Sequence, residues 1–266
     1  MIAVFDSGVG GLTVLHELLV ALPHEDYLYL GDTARFPYGE KTPSELRRYS
    51  LQNAELLLDR GAKLLLVACN SASAAALETL RMQIDRIPVL GVIQPESLLA
   101  ARATRNGRVG VLATPATVAS GAYERALLAC DRELELHSVP CPDLAPIIQG
   151  GFPFDQRVVD TVRTYCRPLV DAQVDTVILG CTHYPLLAPM LRRMLGPSVE
   201  LISSAGAAAG AVEQALREAG LESTREGEGS YDFLCTGDVE SFREHGTRFL
   251  QMPLGEIEHV PVELSV

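Results

Sequence analysis

The sequence predicts an α/β fold of two similar lobes, each built on a mainly parallel sheet and related to the other by an approximate two-fold. Three observations carry this. Apolar strand-like runs and helical patterns alternate along the whole chain. The run Lys63-Leu64-Leu65-Leu66-Val67-Ala68 has the unbroken apolar character of a strand buried on both faces, and it ends abruptly in Cys69-Asn70-Ser71. The same construction returns in the second half, as Asp175-Thr176-Val177-Ile178-Leu179-Gly180 followed by Cys181-Thr182-His183. Ligands of open α/β sheets bind outside the carboxyl ends of strands, so both thiols stand where a substrate is expected.

Taken in order, Ile2 to Phe5 is a short buried strand, and Asp6-Ser7-Gly8-Val9-Gly10-Gly11 turns it into a helix from Leu12 to about Leu22. The turn has the look of a phosphate loop. It fails the dinucleotide fingerprint because Thr13 stands where the third glycine belongs, and Asp6 would repel a pyrophosphate. A tight turn explains the glycines but not a carboxylate at the strand end. Tyr27 to Leu30 is the second strand, and Gly31 to Glu40 is too polar and punctuated for regular structure. Thr42-Pro43-Ser44-Glu45 is a capping box with proline at the first helical position, opening a helix that ends near Gly61. After the Cys69 strand come a helix from about Ala72 to Ile84, a strand Val89 to Ile93, and a break at Gln94-Pro95.

The alternation restarts with a helix from Pro95 to about Thr104, a strand Arg108 to Leu112 and one helix to about Cys130. Glu133 to Val139 is a strand, Pro140 to Gly151 is punctuated by proline and glycine with a short helix, and Asp155 to Ala172 is a helix. Beyond the Cys181 strand, Tyr184-Pro185 opens a helix, Val199 to Ile202 is a strand and Ala205 to Ala219 is an alanine-rich helix. Ser223 to Ser230 is a polar loop, the segment expected to be disordered. Tyr231 to Leu234 is a strand and Val239 to Leu250 a helix. Glu256 to Leu264 alternates in the manner of an edge strand.

At 266 residues and 47% hydrophobic content the chain has ample core. It shows no apolar run of membrane-spanning length, and the start Met1-Ile2-Ala3-Val4-Phe5-Asp6 lacks the pattern of a signal peptide, so a cytoplasmic protein is expected. A net charge of -12 without a basic stripe excludes nucleic acid as a primary partner. The six cysteines form no C-x-x-C pair, which argues for free thiols in a reducing compartment and against structural zinc. Lys41 and Lys63 are the only lysines and neither follows a strand as a Schiff-base lysine does, so pyridoxal phosphate is poorly supported.

Two thiols delivered by matching strands suit one reaction in particular. A carbon acid alpha to a carboxylate is very weak, and inverting it needs a base on one face and an acid on the other. A thiolate and a thiol can exchange those roles. A free thiol has a pKa of about 8.5 and needs help to ionise; Asp6, at another strand end, could assist Cys69, and His183 follows Cys181 on the same loop. One strand-end cysteine is more often a small buried hydrophobe; a pair, each followed by polar side chains, favours catalysis. Cys130 and Cys166 fall on helices and Cys141 lies in a loop between prolines, all without assigned chemistry. Cys235, in Leu234-Cys235-Thr236-Gly237-Asp238, also ends a strand and is the rival second thiol.

These residues bring a family into view: the chain resembles the glutamate racemases, cofactor-independent members of the aspartate/glutamate racemase superfamily. The resemblance rests on Asp6 to Gly11, on Gly31-Asp32-Thr33 with Pro37-Tyr38-Gly39, and on Cys69-Asn70-Ser71. It extends to Val109 to Thr114 with Thr117, and to Gly180 to Pro185. It implies a site in the cleft between two lobes, residues 1–94 with 206–266 carrying Cys69 and residues 95–205 carrying Cys181. It implies L- and D-glutamate as substrates without a cofactor or metal, a role in supplying D-glutamate for peptidoglycan, and a second copy of the chain as a candidate homodimer partner. By the family's pattern Cys69 deprotonates D-glutamate and Cys181 the L-enantiomer, assisted by Asp6 and His183. Asp6, Ser7, Tyr38, Gly39, Asn70, Ser71, Thr182 and His183 match substrate-holding positions, with Asp32, Pro37, Thr114, Thr117 and Gln149 as further candidates. Ser71 replaces the usual threonine and keeps the hydroxyl; Gln149 replaces the common glutamate and removes a charge on the His183 side.

Two other readings compete. Aspartate or another acidic amino acid would use the same thiols, and a non-catalytic amino-acid-binding module would keep the cleft but needs no thiols. Metal-dependent hydrolysis lacks a carboxylate/histidine cluster.

Overall fold

The computed structural model describes residues 1–151 and 155–262. In the first half of the chain lie strands β1 (Ile2–Asp6), β2 (Tyr27–Gly31), β3 (Leu64–Val67) and β4 (Val89–Gly91). The second half has β5 (Arg108–Ala113), β6 (Glu135–Pro140), β7 (Thr176–Gly180) and β8 (Glu200–Ser203), followed by β9 (Tyr231–Cys235) and β10 (Ile257–His259). They form two sheets, one in the order β10-β9-β2-β1-β3-β4 and one in the order β6-β5-β7-β8. All pairings between them are parallel.

The order β2-β1-β3-β4 is repeated by β6-β5-β7-β8. The strands leading to Cys69 and Cys181 therefore occupy equivalent places beside their central strands. The register aligns Phe5 with Val67, which brings Asp6 level with Ala68 and Ser7 level with Cys69. In the second sheet Ala113 pairs with Gly180, which sets Thr114 beside Cys181. The two extra strands β9 and β10 lengthen the first sheet alone.

The helices are α1 (Leu12–Ala21), α2 (Pro43–Asp59), α3 (Asn70–Gln83), α4 (Ile93–Ala103), α5 (Pro115–Ala119) and α6 (Ala122–Cys130). They continue as α7 (Leu144–Gln149), α8 (Gln156–Asp171), α9 (Ala188–Leu195), α10 (Ser204–Ala219) and α11 (Val239–Leu250). Strand side chains alternate between faces, and both faces are covered. Ile2 and Val4 pack into the layer of Leu12, Leu15, Phe242 and Phe249, whereas Ala3 and Phe5 join Leu46, Leu57 and Ala72. In the second sheet Val109 and Val111 meet Ala100, Tyr123 and Leu127, while Val177 and Leu179 meet Val158, Val162 and Leu169. Helix α2 starts where its capping box predicts, with Thr42 Oγ1 accepting from Glu45 N at 3.3 Å and Glu45 Oε2 accepting from Thr42 N at 2.8 Å.

Several expectations are corrected. Helix α4 begins at Ile93, before Pro95, because a proline in a first turn gives up an N–H that has no intrahelical acceptor there. The single helix expected up to Cys130 is two, α5 and α6, separated at Gly121 with φ +65. Gly31 to Glu40 contains two short 3-10 turns, Thr33–Arg35 and Tyr38–Glu40. Tyr184–Leu187 is likewise a 3-10 turn ahead of α9. The loop from Ser223 to Ser230 is pinned rather than free: Glu25 Oε1 accepts from Ser223 N at 2.7 Å, and Asp26 Oδ1 accepts from Ser230 N at 2.8 Å and from Arg225 Nη1 at 2.6 Å. The final strand is β10 alone, at the sheet edge as its alternation predicts; positions 263 and 264 of the expected strand lie outside the described residues.

Candidate active site

The carboxyl ends of the two sheets meet around a narrow pocket. From the first sheet's side it is lined by Ser7, Pro37, Tyr38, Gly39, Cys69, Asn70 and Ser71, and from the second's by Thr114, Cys181, Thr182 and His183. Both thiols are thus brought to one space, Cys69 5% and Cys181 7% exposed. Cys235 is not among the lining residues; its Sγ donates to Gly237 O at 3.5 Å, and it is buried in the first sheet.

Cys69 follows β3 as the N-cap of α3, where the helix dipole favours a thiolate. Burial nonetheless pushes its thiol up to about 12, the Asp6 charge adding to the effect, against lowering by Ala72 N–H and by Ser7. Asp6 is fully buried at the end of β1. Its Oδ2 accepts from Gly8 N at 2.9 Å and its Oδ1 from Thr182 Oγ1, across the cleft, at 3.2 Å. This explains the carboxylate at the strand end: it collects N–H groups of the turn and links it to the opposite loop. Among the described residues Asp6 makes no hydrogen bond to Cys69 and acts on it through its charge. Burial raises the Asp6 carboxyl, opposed by the hydrogen bonds from Gly8, Gly11, Thr182 and Ser7.

On the other side, Cys181 Sγ lies 3.8 Å from His183 Nδ1, and His183 Nε2 lies 2.9 Å from Gln149 Oε1. With Oε1 accepting, the ring carries its hydrogen on Nε2, and Nδ1 is left to take a proton from the thiol. The imidazole sits between Phe36, at 5.6 Å between centroids, and Phe249 of α11, at 5.1 Å edge to face. That apolar setting lowers its pKa to about 3, so the ring is neutral at pH 7. Cys181 is pushed well above the ordinary thiol value by burial, with a smaller upward push from Cys69 and Asp6 and a lowering by His183 N–H.

Three hydroxyls meet beside the thiols. Ser71 Oγ lies 2.9 Å from Thr114 Oγ1 and 3.1 Å from Thr117 Oγ1, and the two threonine hydroxyls are 3.0 Å apart. The cluster can turn several O–H donors toward an anion while cycling its bonds among its members. Tyr38 lines the cavity, but its hydroxyl donates to Asp32, so the ring and backbone, not the O–H, face the space. Asp32 lies beneath, outside the lining, accepting from Arg35 Nε at 3.1 Å and Thr236 Oγ1 at 2.8 Å. Gly39 approaches Thr114 so closely that a Cβ there would sit 2.6 Å from Thr114 Cβ.

Residues that the motifs do not mark complete the site. Pro142, Ala145 and Pro146 line it, and only the proline-rich composition between Cys141 and Gln149 hints at them. Phe249 arrives from the last helix with no local signal. Glu96, Tyr123 and Ser204 form a buried group behind Asn70. Among the described residues no cluster of three histidine, cysteine or carboxylate side chains is arranged to hold a metal, and no helix is long and apolar enough to cross a membrane.

Paired thiols at equivalent strand ends, one beside an imidazole and both near a buried carboxylate, are groups that can give and take protons at a carbon centre, and the chain belongs to the Asp/Glu/hydantoin racemase family, whose model matches residues 10–243. Within that family its relatives are glutamate racemases. One from Geobacter metallireducens is 44% identical over 262 residues, 98% of this chain and 97% of the relative. A glutamate racemase isoform of Bacillus anthracis superposes with a TM-score of 0.94 at 37% identity, covering 98% of this chain and 97% of that one. The Francisella tularensis glutamate racemase, solved in complex with D-glutamate, gives a TM-score of 0.91 at 35% identity over 97% of this chain and 96% of that one.

Proposed function

We propose that this chain interconverts L- and D-glutamate by moving one proton between the faces of the α-carbon. The observation that carries the reading is the delivery of Cys69 and Cys181 by topologically equivalent strands into one cavity. With D-glutamate bound, Cys69 as thiolate takes the Cα proton and the Cys181 thiol returns one to the opposite face; L-glutamate reverses the two roles. His183 Nδ1 relays the proton of Cys181, and the Asp6 carboxylate draws the substrate's α-ammonium toward Cys69, where that positive charge favours the thiolate.

Burial by itself keeps both thiols neutral. An α-ammonium group supplies what is missing. At about 4 Å and an effective dielectric near 20, one positive charge favours a thiolate by about 4 kcal/mol, roughly three tenfold steps in acidity. The substrate thus activates its own base. The hydroxyl cluster of Ser71, Thr114 and Thr117 suits a carboxylate, as do Ser7 and the backbone N–H groups of Tyr38 and Gly39, since they donate without a net positive field, whereas the Thr182 hydroxyl is committed to Asp6. In this reading residues 1–94 with 206–266 and residues 95–205 are the two lobes that carry one thiol each. The protein works in the cytoplasm, supplying D-glutamate for peptidoglycan.

The test follows the loss of circular dichroism from D-glutamate and from L-glutamate without added cofactor, with both aspartate enantiomers as controls. Activity should collapse in Cys69→Ser and Cys181→Ser and survive in Cys235→Ser. A wild type that binds glutamate and leaves it optically unchanged, or an essential Cys235, overturns the reading.

A further inference from the structure

Glu96 is 0% exposed, lies in the first turn of α4, and has no cation among its partners in the described residues. A buried carboxylate in that position is costly unless donors surround it. Three do, each from a different helix. Oε1 accepts from Ser204 Oγ at 2.5 Å, at the start of α10; Oε2 accepts from Asn70 Nδ2 of α3 at 3.1 Å and from the hydroxyl of Tyr123 on α6. Helices α4 and α10 are the two segments by which the chain passes between the sheets, and Asn70 directly follows Cys69 in the cavity wall.

The arithmetic of Asn70 is decisive. Its Nδ2 carries two hydrogens, and Glu96 Oε2, Tyr123 Oη at 2.8 Å and Ser204 Oγ at 3.2 Å stand ready to accept them. No N–H remains for a substrate. Ser204 Oγ is also 3.4 Å from Asn70 Oδ1, but its single proton goes to Glu96 at 2.5 Å, the shorter bond. Turning the amide over would set Oδ1 against a carboxylate oxygen, acceptor against acceptor, so Glu96 fixes which end faces inward.

Building on the racemase reading above, we propose that Glu96 is a positioning residue that locks the Asn70 amide with its N–H groups inward, leaving Oδ1 as the acceptor for the substrate's α-ammonium. Asn70 then belongs with Asp6 among the groups that attract the cation, and apart from the hydroxyls that hold carboxylate. Such a bond is made alike in the ground and transition states, so its loss shows in KM.

The experiment measures glutamate racemisation for wild type, Glu96→Gln, Asn70→Ala and the double variant. Glu96→Gln should raise KM about tenfold from either enantiomer, the size of one charge-assisted hydrogen bond, with kcat within about threefold of wild type. In the Asn70→Ala background it should add nothing, because its effect runs through that amide. An unmoved KM, or an effect that adds in full to that of Asn70→Ala, overturns the proposal. A second readout uses the native protein: the Asn70 side-chain N–H₂ resonances, assigned by their loss in Asn70→Ala, should be protected from solvent exchange, and should stay protected while shifting as Oδ1 of the same amide takes the α-ammonium when glutamate is added. Resonances that exchange freely, or that do not respond to glutamate at all, also overturn it, even where Glu96→Gln fails to fold. A wild type inactive on glutamate sinks the racemase reading itself; an active wild type with an indifferent Glu96 sinks this one alone.

Discussion

Gly10, in the turn between β1 and α1, is the point where the two loops of the cavity touch. A Cβ added there would lie 2.4 Å from His183 Nδ1, 2.4 Å from Thr182 Oγ1 and 2.6 Å from His183 Cε1. Ordinary contact begins at 3.4 Å, so about 1 Å must open. Neither neighbour yields freely: His183 is held by Gln149 at 2.9 Å and flanked by Phe36 and Phe249, and Thr182 donates to Asp6 at 3.2 Å. In Gly10→Ala the overpacking should cost about 1–3 kcal/mol of stability. The displaced imidazole and hydroxyl should lower kcat/KM about 100-fold, the effect of a 1 Å misplacement at a reacting centre. Racemisation is followed by circular dichroism from each enantiomer, with thermal unfolding in parallel. Because enantiomers have equal free energies, kcat/KM must fall by the same factor in both directions, which checks the data internally. The control is Gly210→Ala in α10, where a Cβ meets nothing within 4 Å. That variant should keep full activity and gain about 0.5–1 kcal/mol from helix propensity. Gly10→Ala with kcat/KM within about threefold of wild type refutes the argument from contact.

Four further outcomes are expected. The Cys69 thiol, raised to about 12 from an ordinary 9.0, contributes stability that is present below pH 9 and lost as pH rises toward 12. Urea unfolding should therefore show a decline above pH 9 that Cys69→Ala reduces, at most about 1.4 kcal/mol per pH step, and an equal decline in both proteins counts against it. On the acid side two buried groups oppose each other. His183, lowered to about 3 from 6.5, loses stability as pH falls below 6.5, whereas Glu96, raised to about 7 from 4.5, loses it as pH rises from 4.5 to 7. Between these limits their slopes cancel, so Glu96→Gln should weaken on acidification from pH 6.5 to 4.5 faster than wild type, again by up to about 1.4 kcal/mol per pH step. Gln149→Glu sets a carboxylate at the 2.9 Å contact with His183 Nε2 and should raise the imidazole pKa above about 3, as read from the ring resonances by NMR; an unchanged value would contradict the contact. Arg35→Met leaves Asp32, 0% exposed, without its 2.8 Å ion pair and should cost about 3–5 kcal/mol in chemical unfolding, a loss under about 1 kcal/mol arguing that the pair is inessential.

The sequence made most of the strands and helices legible because apolar runs ending in polar groups are what a parallel sheet requires. The cysteine pair, Asp6 and His183 were visible for the same reason, each standing at or just after a strand end. What escaped is what depends on packing between distant segments. Pro95 marks a break to the eye, yet in a first turn it costs nothing, so α4 starts earlier. Gly121 splits a helix that periodicity joins. Tyr38 lines the pocket as its motif suggests, but nothing local reveals that its hydroxyl is committed to Asp32. The Ser223 to Ser230 loop has the composition of a disordered segment, and its anchors, Glu25 and Asp26, lie at the other end of the chain. Phe249 and Glu96 carry no motif; each becomes visible only when the fold sets it against His183 or Asn70.

The pairing of β2 with β9 has a consequence for how the protein is made. Tyr27 and Tyr231 lie side by side in the first sheet though about three quarters of the chain separates them, while the second sheet closes within residues 108 to 203. During synthesis the second sheet can therefore assemble well before the first is finished, and the first must wait for its C-terminal strands. The last helix delivers Phe249 to His183 at the same late moment. A polypeptide lacking α11 would hold both thiols and still lack a wall of the imidazole's chamber, so the site is complete only once Val239–Leu250 has been made and packed.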